Sequence, residues 1–290
     1  MIGKRNHRGN LGISSREPLR KTRMTMCIET KIFRPGLPEN REAAEKLDLV
    51  LAGENPDRSY SGMMRFRLSG RAFPQCRDTY FIALDSERDV CVARLWYGWG
   101  NHEHAVGNFG NFMTDEHYRR RGIGSLLLDL LGEDLNHHSG ALPSALFCTA
   151  GDAGIAEVYH KRYGFRPILP GRTHGHLYCP LGNSPDSFEE FCQEYYNRAD
   201  GEIHFIPGTV AYRHEIDCLL RFALSTRGEV FGLPGIESFE EALLSPEKGV
   251  LECALSDSGV CVGWAFTPKG GVRRVQLYPG TGKQKKGDLR

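Results

Sequence analysis

The 290-residue sequence has no apolar run that approaches the roughly 18 residues needed to cross a membrane, so no membrane span is predicted. Its nine cysteines are odd in number and scattered, and none forms a CxxC pair. This distribution predicts reduced thiols without disulfides or zinc in a reducing compartment, and we expect a cytoplasmic protein. The pairs His102-x-His104 and His174-x-His176 have no adjoining cysteine or acidic motif, so no metal site is predicted.

Charge is distributed unevenly, although the whole chain has a formal net charge of only +1. Residues 1–25 contain seven Lys/Arg against one acidic residue, and residues 269–290 have the same balance. The first segment has no apolar core like that of a secretory signal. We predict a basic disordered leader over 1–25, with a mitochondrial-type leader as the alternative, and a basic tail over 269–290. The acidic body between them favours cationic ligands. The sequence lacks the alternation of aromatic and basic residues that would indicate nucleic-acid binding, so no nucleic-acid partner is predicted.

The segment FGNFMTDEHYRRRGIGSLLLDLL, residues 109–131, combines an extended start with a predicted helix from Gly122. Apolar residues at i, i+3, i+4, i+7 and i+8 predict the buried face of that helix: Ile123, Leu126, Leu127, Leu130 and Leu131. A strand that passes through glycines into a helix is typical of an anion site, because the first helical N–H groups lack internal partners and lie at the positive end. The three arginines at 119–121 are unfavourable there unless an anion binds.

The glycine pattern decides which anion motif this is. A P-loop would need a lysine after its last glycine, but Ser125 and Leu126 follow Gly124; a Rossmann fingerprint would need a third glycine at Leu127. The pattern R-x-x-G-x-G of Arg119, Gly122 and Gly124 instead resembles the pyrophosphate-binding motif of the GNAT superfamily of acyl-CoA-dependent N-acyltransferases.

A second signature follows about 35 residues later. The segment AEVYHKRYGFRPI, residues 156–168, resembles the GNAT helix that carries a tyrosine and ends in a Gly-Phe pair, here Gly164-Phe165. The family commonly places the tyrosine four residues before the glycine, where this chain has His160, and Tyr159 stands one residue earlier. The segment ALFCT, residues 145–149, is predicted to be the buried parallel strand before that helix.

The resemblance implies an α/β GNAT-like fold, with a mixed sheet, for a domain over residues 26–182, its matching part beginning at about 27. A boundary signal at 182–185 precedes a smaller α+β C-terminal domain, predicted over 186–268. Matching elements recur at offsets of 170–172 residues, as in Phe33 and Phe205 or Cys91 and Cys261. This suggests a truncated second GNAT-like copy without an RxxGxG motif, and an unrelated extension is the alternative.

The resemblance also implies the site residues. Acetyl-CoA would be the cosubstrate, held by the end of one strand and the following loop: Phe112, Met113, Thr114, Arg119, Arg120, Arg121, Gly122, Ile123, Gly124 and Ser125. Asp152 replaces the asparagine that the family commonly has before the second helix. A backbone N–H near Met113 is expected to stabilise the oxyanion. Glu103, His104 and Asn108 are candidates for the general base.

The leaving thiolate needs a proton, and Tyr159 and His160 are the two candidate donors. A phenol is protonated at neutral pH and can donate a proton to a thiolate, and an imidazolium can do the same. Because one residue of helix turns a side chain by roughly 100°, only one of the two can face the thiolate. We favour Tyr159.

These features predict an N-acetyltransferase that acetylates a primary amine of a small molecule or peptide by direct attack within a ternary complex. Acceptor specificity is expected to lie in the irregular segment 53–76 and in the C-terminal domain. The alternative is a non-catalytic acyl-CoA-binding module whose C-terminal domain serves as an interaction or homodimer surface.

Overall fold

The computed structural model of the chain describes residues 27–53, 59–138, 140–169, 171–227 and 239–278. The predicted leader at 1–25 lies outside these residues, as does the part of the predicted tail from residue 279 onward. No helix within the described part of the chain is long and apolar enough to cross a membrane.

The first part of the chain forms one seven-stranded mixed sheet with helices on both faces. Its strands are β1 (Ile28–Phe33), β2 (Cys76–Asp85), β3 (Val90–Gly100), β4 (Gly107–Thr114), β5 (Ala145–Ala150), β6 (Arg166–Pro167) and β7 (Gly175–Pro180). Its helices are α1 (Arg41–Gly53), α2 (Ser59–Leu68), α3 (Ile123–Asn136) and α4 (Ala153–Tyr163). The strand order is β1-β2-β3-β4-β5-β7-β6, and β4 and β5 pair in parallel while their neighbours pair antiparallel. The predicted mixed α/β fold is therefore confirmed.

Helices α3 and α4 cover one face of this sheet, and α1 and α2 cover the other. The buried face of α3 consists of Ile123, Leu127, Leu128 and Leu131, whereas Leu126 is 43% exposed. The predicted face was therefore wrong by one position, because an unbroken run of leucines supports two neighbouring helical faces and only the contact with the sheet selects one. Within the segment 53–76, which was predicted to be irregular, α2 forms a helix of ten residues.

Strands β4 and β5 diverge after a short paired stretch. Their register contains only the pairs Gly107 with Leu146 and Asn108 with Phe147. Further along β4, its register with β3 shifts between Arg94 and Trp96, and Asn111 has φ +52° in the left-handed region. Such a bulge bends a strand locally, and here it lies in the stretch of β4 that no longer pairs with β5.

The rest of the chain adds a second sheet that packs against the first. The strands of this sheet are β8 (Ile203–Pro207), β9 (Gly249–Ser256), β10 (Cys261–Pro268) and β11 (Arg274–Leu277), in the order β11-β10-β9-β8. The same part of the chain forms the helices α5 (Phe188–Asn197), α6 (Arg213–Arg227) and α7 (Phe239–Leu244). The second sheet thus continues past residue 268 into the charged segment. One hydrophobic cluster joins both parts, because Phe147 and Tyr178 of the first sheet pack with Phe191 of α5 and Trp264 of β10.

Candidate active site

Helix α3 begins without a capping side chain. Its N-cap residue is Gly122, no side chain accepts a hydrogen bond from the first turn, and that turn contains no acidic residue. Helices α4 and α5, by contrast, are capped by the side chains of Asp152 and Ser187. The first N–H groups of α3 therefore remain donors at the positive end of the helix, which is a suitable place for an anion.

The loop before α3 curves its backbone around this helix end. Arg120 has φ +60° and Gly122 has φ +80°, and a Cβ built on Gly122 would meet no atom within 4 Å. A non-glycine residue in the left-handed region is uncommon and costs free energy, so it marks a position held by its surroundings. Arg119 supplies part of that hold, because its Nε donates to the carbonyl oxygen of Thr114 at 3.0 Å.

Tyr118 anchors the same loop to the β2–β3 hairpin. It is buried, and its hydroxyl donates to Oδ2 of Asp85 at 2.6 Å. Asp85 also accepts from the backbone N–H groups of Glu87 and Arg88. The hydrogen bond from Tyr118, with these two, outweighs burial and lowers the pKa of the Asp85 carboxyl. Arg121 lies over the Tyr118 ring at 5.7 Å. The hairpin turn and the arginine–glycine loop are thereby fixed to each other.

Gly124 allows α3 to lie close to the end of β4. A Cβ on Gly124 would come within 3.0 Å of the Phe112 ring and 3.4 Å of Oγ1 of Thr114. A larger residue would push the helix start away from the strand, and with it the donor groups of the first turn. The two glycines of the motif therefore have different roles: Gly122 adopts a left-handed backbone conformation, and Gly124 allows the start of α3 to lie close to β4.

The hydrogen-bond ladder determines which backbone groups of β4 face β5. Asp115 donates its N–H to the carbonyl of Val92, and Met113 lies opposite Arg94 two residues earlier. Because bonded and non-bonded positions alternate along an antiparallel pair, the N–H of Met113 points toward β3. The backbone groups of Phe112 and Thr114 point to the opposite side, where β5 has moved away. Near Met113, the N–H groups that can face the gap are therefore those of Phe112 and Thr114, and not that of Met113 itself.

The two candidate proton donors on α4 point in different directions. Tyr159 is only 5% exposed and packs edge-on against the Phe109 ring of β4 at 4.8 Å, with Phe112 at 6.3 Å. Burial raises the pKa of Tyr159, with smaller contributions from neighbouring groups that include Cys148, so its phenol stays protonated at neutral pH. His160 is exposed, and its Nδ1 lies 2.9 Å from the carbonyl oxygen of Phe165. The structure brings Tyr159, and not His160, to the diverging strands.

The remaining predicted residues have structural partners of their own. Oδ1 of Asp152 accepts from the N–H of Ile155 at 2.9 Å, so this carboxylate caps α4. Glu103 and His104 precede β4, and Nε2 of His104 lies 3.0 Å from the carbonyl oxygen of Ser258 in the C-terminal domain. Neither of these two residues lies on the strand that diverges. Asn108 does lie there, at the last paired position of β4.

Sequence reasoning missed the residues that α6 contributes. Nδ2 of Asn108 donates to Oδ2 of Asp217 at 3.0 Å, and Nε of Arg221 donates to the same oxygen at 2.9 Å. A sequence signal was present, since Asp217 and Arg221 have the i, i+4 spacing that places both on one helical face. The signal does not say what that face contacts, and Asn108 is 109 residues away in the chain.

A separate cavity of about 350 Å³ lies at the other end of the sheet. It is lined by the start of β2, the end of β3 and the segment after α3, and includes Arg34, Arg77, Trp99 and His138. The N-terminus of α3 follows the opposite end of β4, so this cavity is not part of the arginine–glycine loop.

Comparison with known proteins agrees with this geometry. Residues 76–167 match the family model described as acetyltransferase (GNAT) domain. This range contains the arginine–glycine loop, the diverging strands and α4. The chain therefore carries a GNAT acetyltransferase domain. A search of curated proteins finds no match.

Several solved structures are similar to about half of this chain. The GNAT family N-acetyltransferase YhbS from Escherichia coli, in complex with CoA, is 15% identical with a TM-score of 0.38, covering 55% of this chain and 83% of its own. A GNAT family acetyltransferase from Staphylococcus aureus is 16% identical with a TM-score of 0.35, and the match covers 53% of this chain and 100% of that protein. NAA60 from Arabidopsis thaliana, in complex with a bisubstrate analogue, is 16% identical with a TM-score of 0.33, and the match covers 52% of this chain and 96% of that protein.

Proposed function

We propose that the protein transfers an acetyl group from acetyl-CoA to a primary amine of a small molecule or peptide by direct attack within a ternary complex. The observation that carries this proposal is the uncapped N-terminus of α3 beside the gap between β4 and β5. The N–H groups of residues 123–125 suit the diphosphate of CoA, and the guanidinium groups of residues 119–121 add positive charge around it.

The backbone of β4 would then hold the pantetheine arm. Phe112 and Thr114 present backbone groups toward the side that β5 has left, so an extended amide chain can hydrogen-bond there much as a further strand would. The N–H of Phe112 replaces that of Met113 as our candidate for the oxyanion donor. Asp152 is not included among the CoA contacts, because its carboxylate already caps α4.

The reaction needs a neutral amine, since an alkylammonium with a pKa of about 10.4 has no lone pair. The amine nitrogen attacks the thioester carbon, the C–S bond breaks, and the nitrogen loses a proton to solvent. The departing thiolate takes the phenolic proton of Tyr159, which later regains one from water. Burial raises the pKa of the Cys148 thiol, the cysteine nearest this path on β5, so no thiolate is available there for an acyl-enzyme.

A charge reversal at the start of α3 tests the proposal. Ser125→Asp places a carboxylate in the first turn, where it should stabilise the free helix by about 0.3–1 kcal/mol but repel a diphosphate. We expect calorimetry to show CoA affinity at least about tenfold weaker, with acetyl-CoA-dependent thiol release across an amine panel falling in parallel, while the unfolding temperature is unchanged or higher. Ser125→Ala is the matched control and should retain both properties. Equal CoA binding by the Asp and Ala variants would remove the anion site from this helix.

A further inference from the structure

Helix α6 of the C-terminal domain lies across the sheet face opposite α3 and α4, at the point where β4 and β5 part. Oε1 of Glu215 accepts from the N–H of Val106 at 2.8 Å, before the paired stretch of β4. Two residues later, Asp217 accepts from Nδ2 of Asn108. About one turn after Asp217, Nη1 of Arg221 donates to the carbonyl of Cys148 on β5 at 3.0 Å. The helix therefore spans the gap between the two strands.

The centre of this contact is an ordered set of charges. Burial acts to raise the pKa of Asp217, but the guanidinium groups of Arg221 and Arg213, with hydrogen bonds from Arg221 and Asn108, outweigh it and hold the pKa at about 2. Asp217 is thus ionised at neutral pH. Asp217, Arg213 and Arg221 together carry a formal charge of +1.

Arg221 also fixes the state of His176 on β7. Its Nη1 lies 2.8 Å from Nδ1 of His176, and a guanidinium has no acceptor, so Nδ1 must accept and the proton of the neutral ring stays on Nε2. Burial, followed by the nearby Arg221, lowers the pKa of His176 and keeps the ring neutral. Nη2 of Arg221 has no hydrogen-bond partner among the described residues. The pair therefore offers N–H donors from two side chains.

Asn108 provides a hydrogen-bond acceptor that lacks a donor. The residue is only 7% exposed, its Nδ2 is committed to Asp217, and its Oδ1 is buried without a hydrogen-bond partner. Leaving such an acceptor unsatisfied is unfavourable, so a ligand N–H at this position would be stabilising. Asn108 sits at the last paired position of β4, which is where the diverging strands begin.

We infer that α6 completes the acceptor site and that the acceptor is an α-amino acid. Oδ1 of Asn108 accepts an N–H of the amine, and the Arg221–His176 pair binds the carboxylate. Asn108 and Arg221 both contact the same oxygen of Asp217, so the two recognition points are close together, as the amine and carboxylate of an α-amino acid are. The inference rests on the proposed acetyl transfer and adds the class of acceptor.

Two matched substrate pools test this inference with the full-length protein and acetyl-CoA. One pool contains the twenty common α-amino acids, and the other contains their α-carboxamides, with acetylated products quantified by mass spectrometry. The α-amine of an amino-acid carboxamide has a pKa of about 7.7–8.0, so it is neutral more often than the α-amine of the free amino acid. The intrinsic reactivity of the amines therefore favours the carboxamide pool. We expect the acid pool to give kcat/KM values at least about tenfold higher, because a charge-assisted hydrogen bond is made only to the carboxylate.

Variants identify the residue responsible. Arg221→Gln should bring the acid-to-amide ratio near one, mainly through KM, whereas Arg221→Lys keeps the charge and should retain part of the preference. Arg198→Gln removes an exposed arginine of the same domain and should leave the ratio unchanged. The unfolding temperature of each variant is measured as a check on folding. If Arg221→Gln does not fold, the acid-to-amide ratio of Arg221→Lys tests the role of Arg221.

The outcomes separate this inference from the proposed function. Equal use of both pools by the wild type, or an undiminished preference in the folded Arg221 variants, overturns the inference. Acetylation of other amines, such as polyamines, with neither pool used overturns it too and leaves acetyl transfer standing. Failure to acetylate any amine overturns the proposed function itself.

Discussion

In the proposed reaction, the chemical step depends most directly on Tyr159. It lies on the buried side of α4 against Phe109 and Phe112, and its phenol remains protonated because burial raises its pKa. A proton donor placed beside a leaving group contributes typically 10²–10⁴-fold to a rate. The adjacent His160 points to solvent and hydrogen-bonds its own loop.

We therefore expect Tyr159→Phe to lower kcat by roughly 10²-fold or more while leaving the Kd for CoA within about threefold of the wild type. His160→Gln is the neighbouring control and should leave kcat nearly unchanged. Steady-state thiol release and calorimetry measure the two quantities. The reverse result, with the larger loss of kcat in the His160 variant, would contradict our assignment of the donor.

Asp217 makes stability depend on pH. Its folded pKa of about 2 lies below the usual 3.8, so the ionised carboxylate stabilises the folded state above pH 3.8, and this contribution is lost as pH falls from about 4 toward 2. The side chain is 23% exposed, so the contribution is about 2 kcal/mol at most.

Asp217→Asn keeps the shape of the side chain and removes its charge. We expect the variant to be less stable than the wild type by about 1–2 kcal/mol in urea unfolding at pH 6, and the difference to shrink toward zero near pH 2. A stability difference that stays constant from pH 6 to pH 2 would show that the Asp217 charge is not held by the two arginines.

The sequence pointed to some of these residues and could not point to others. The Arg119–Gly124 motif, Tyr159 and Asn108 were recognised because they stand at fixed places in local patterns. Asp217 and Arg221 were not, because their importance depends on α6 crossing the sheet near Asn108, and no local spacing encodes that contact. The direction of the Met113 N–H likewise depends on pairing with β3, which a single strand does not specify.

At the scale of single elements, the two helices at the gap begin in different ways. Helix α4 starts with a side-chain cap from Asp152, and α3 starts with bare N–H groups behind Gly122. A capped start contributes to stability, whereas an uncapped start keeps donors available for a ligand. Asp152 therefore has a structural role at the start of α4.

This difference predicts the effect of two substitutions at one position. Asp152→Ala should lower the free energy of unfolding by about 1 kcal/mol, because the N–H of Ile155 loses its acceptor. Asp152→Asn should recover most of that loss, since asparagine caps equally well. Both should bind CoA with nearly the wild-type Kd; a tenfold loss in either would mean that the carboxylate contacts CoA as well.

Element types with strong patterns could be predicted, and weakly patterned ones could not. The helix from Gly122 and the strand at 145–149 follow from apolar periodicity and from glycine placement. Helix α2 was missed because its sequence, SYSGMMRFRL, does not separate polar from apolar residues onto two faces, and its formation depends on packing of Met63, Met64 and Leu68.

At the scale of the whole molecule, the second sheet repeats the layout of the first. The order β8, α6, α7, β9, β10, β11 follows that of β1, α1, α2, β2, β3, β4, with antiparallel neighbours throughout. The register shift between Cys261 and Gly263 opposite Leu255 and Ala254 parallels the one at Cys91 and Ala93 opposite Leu84 and Ala83. The interpretation as a truncated second copy stays a prediction.

The two sheets share one hydrophobic cluster, and this predicts that the first part does not stand alone. Ending the chain after residue 182 would expose Val106, Phe147 and Tyr178, each worth about 1.5–3 kcal/mol of burial. We expect the shortened protein to unfold roughly 10 °C lower or to aggregate, as seen by thermal unfolding and size-exclusion chromatography. Adding residues 183–290 as a separate chain should recover part of the loss. An unchanged unfolding temperature would show that the shared cluster adds nothing.

The account depends on CoA binding where β4 ends and α3 begins. Amide hydrogen exchange measured by mass spectrometry, with and without CoA, reports protection along the chain without requiring turnover. We predict that CoA slows exchange in peptides covering residues 112–125 and leaves those around Arg34, Arg77 and His138 unchanged. Protection confined to that second cavity, or no protection anywhere at saturating CoA, would contradict the account.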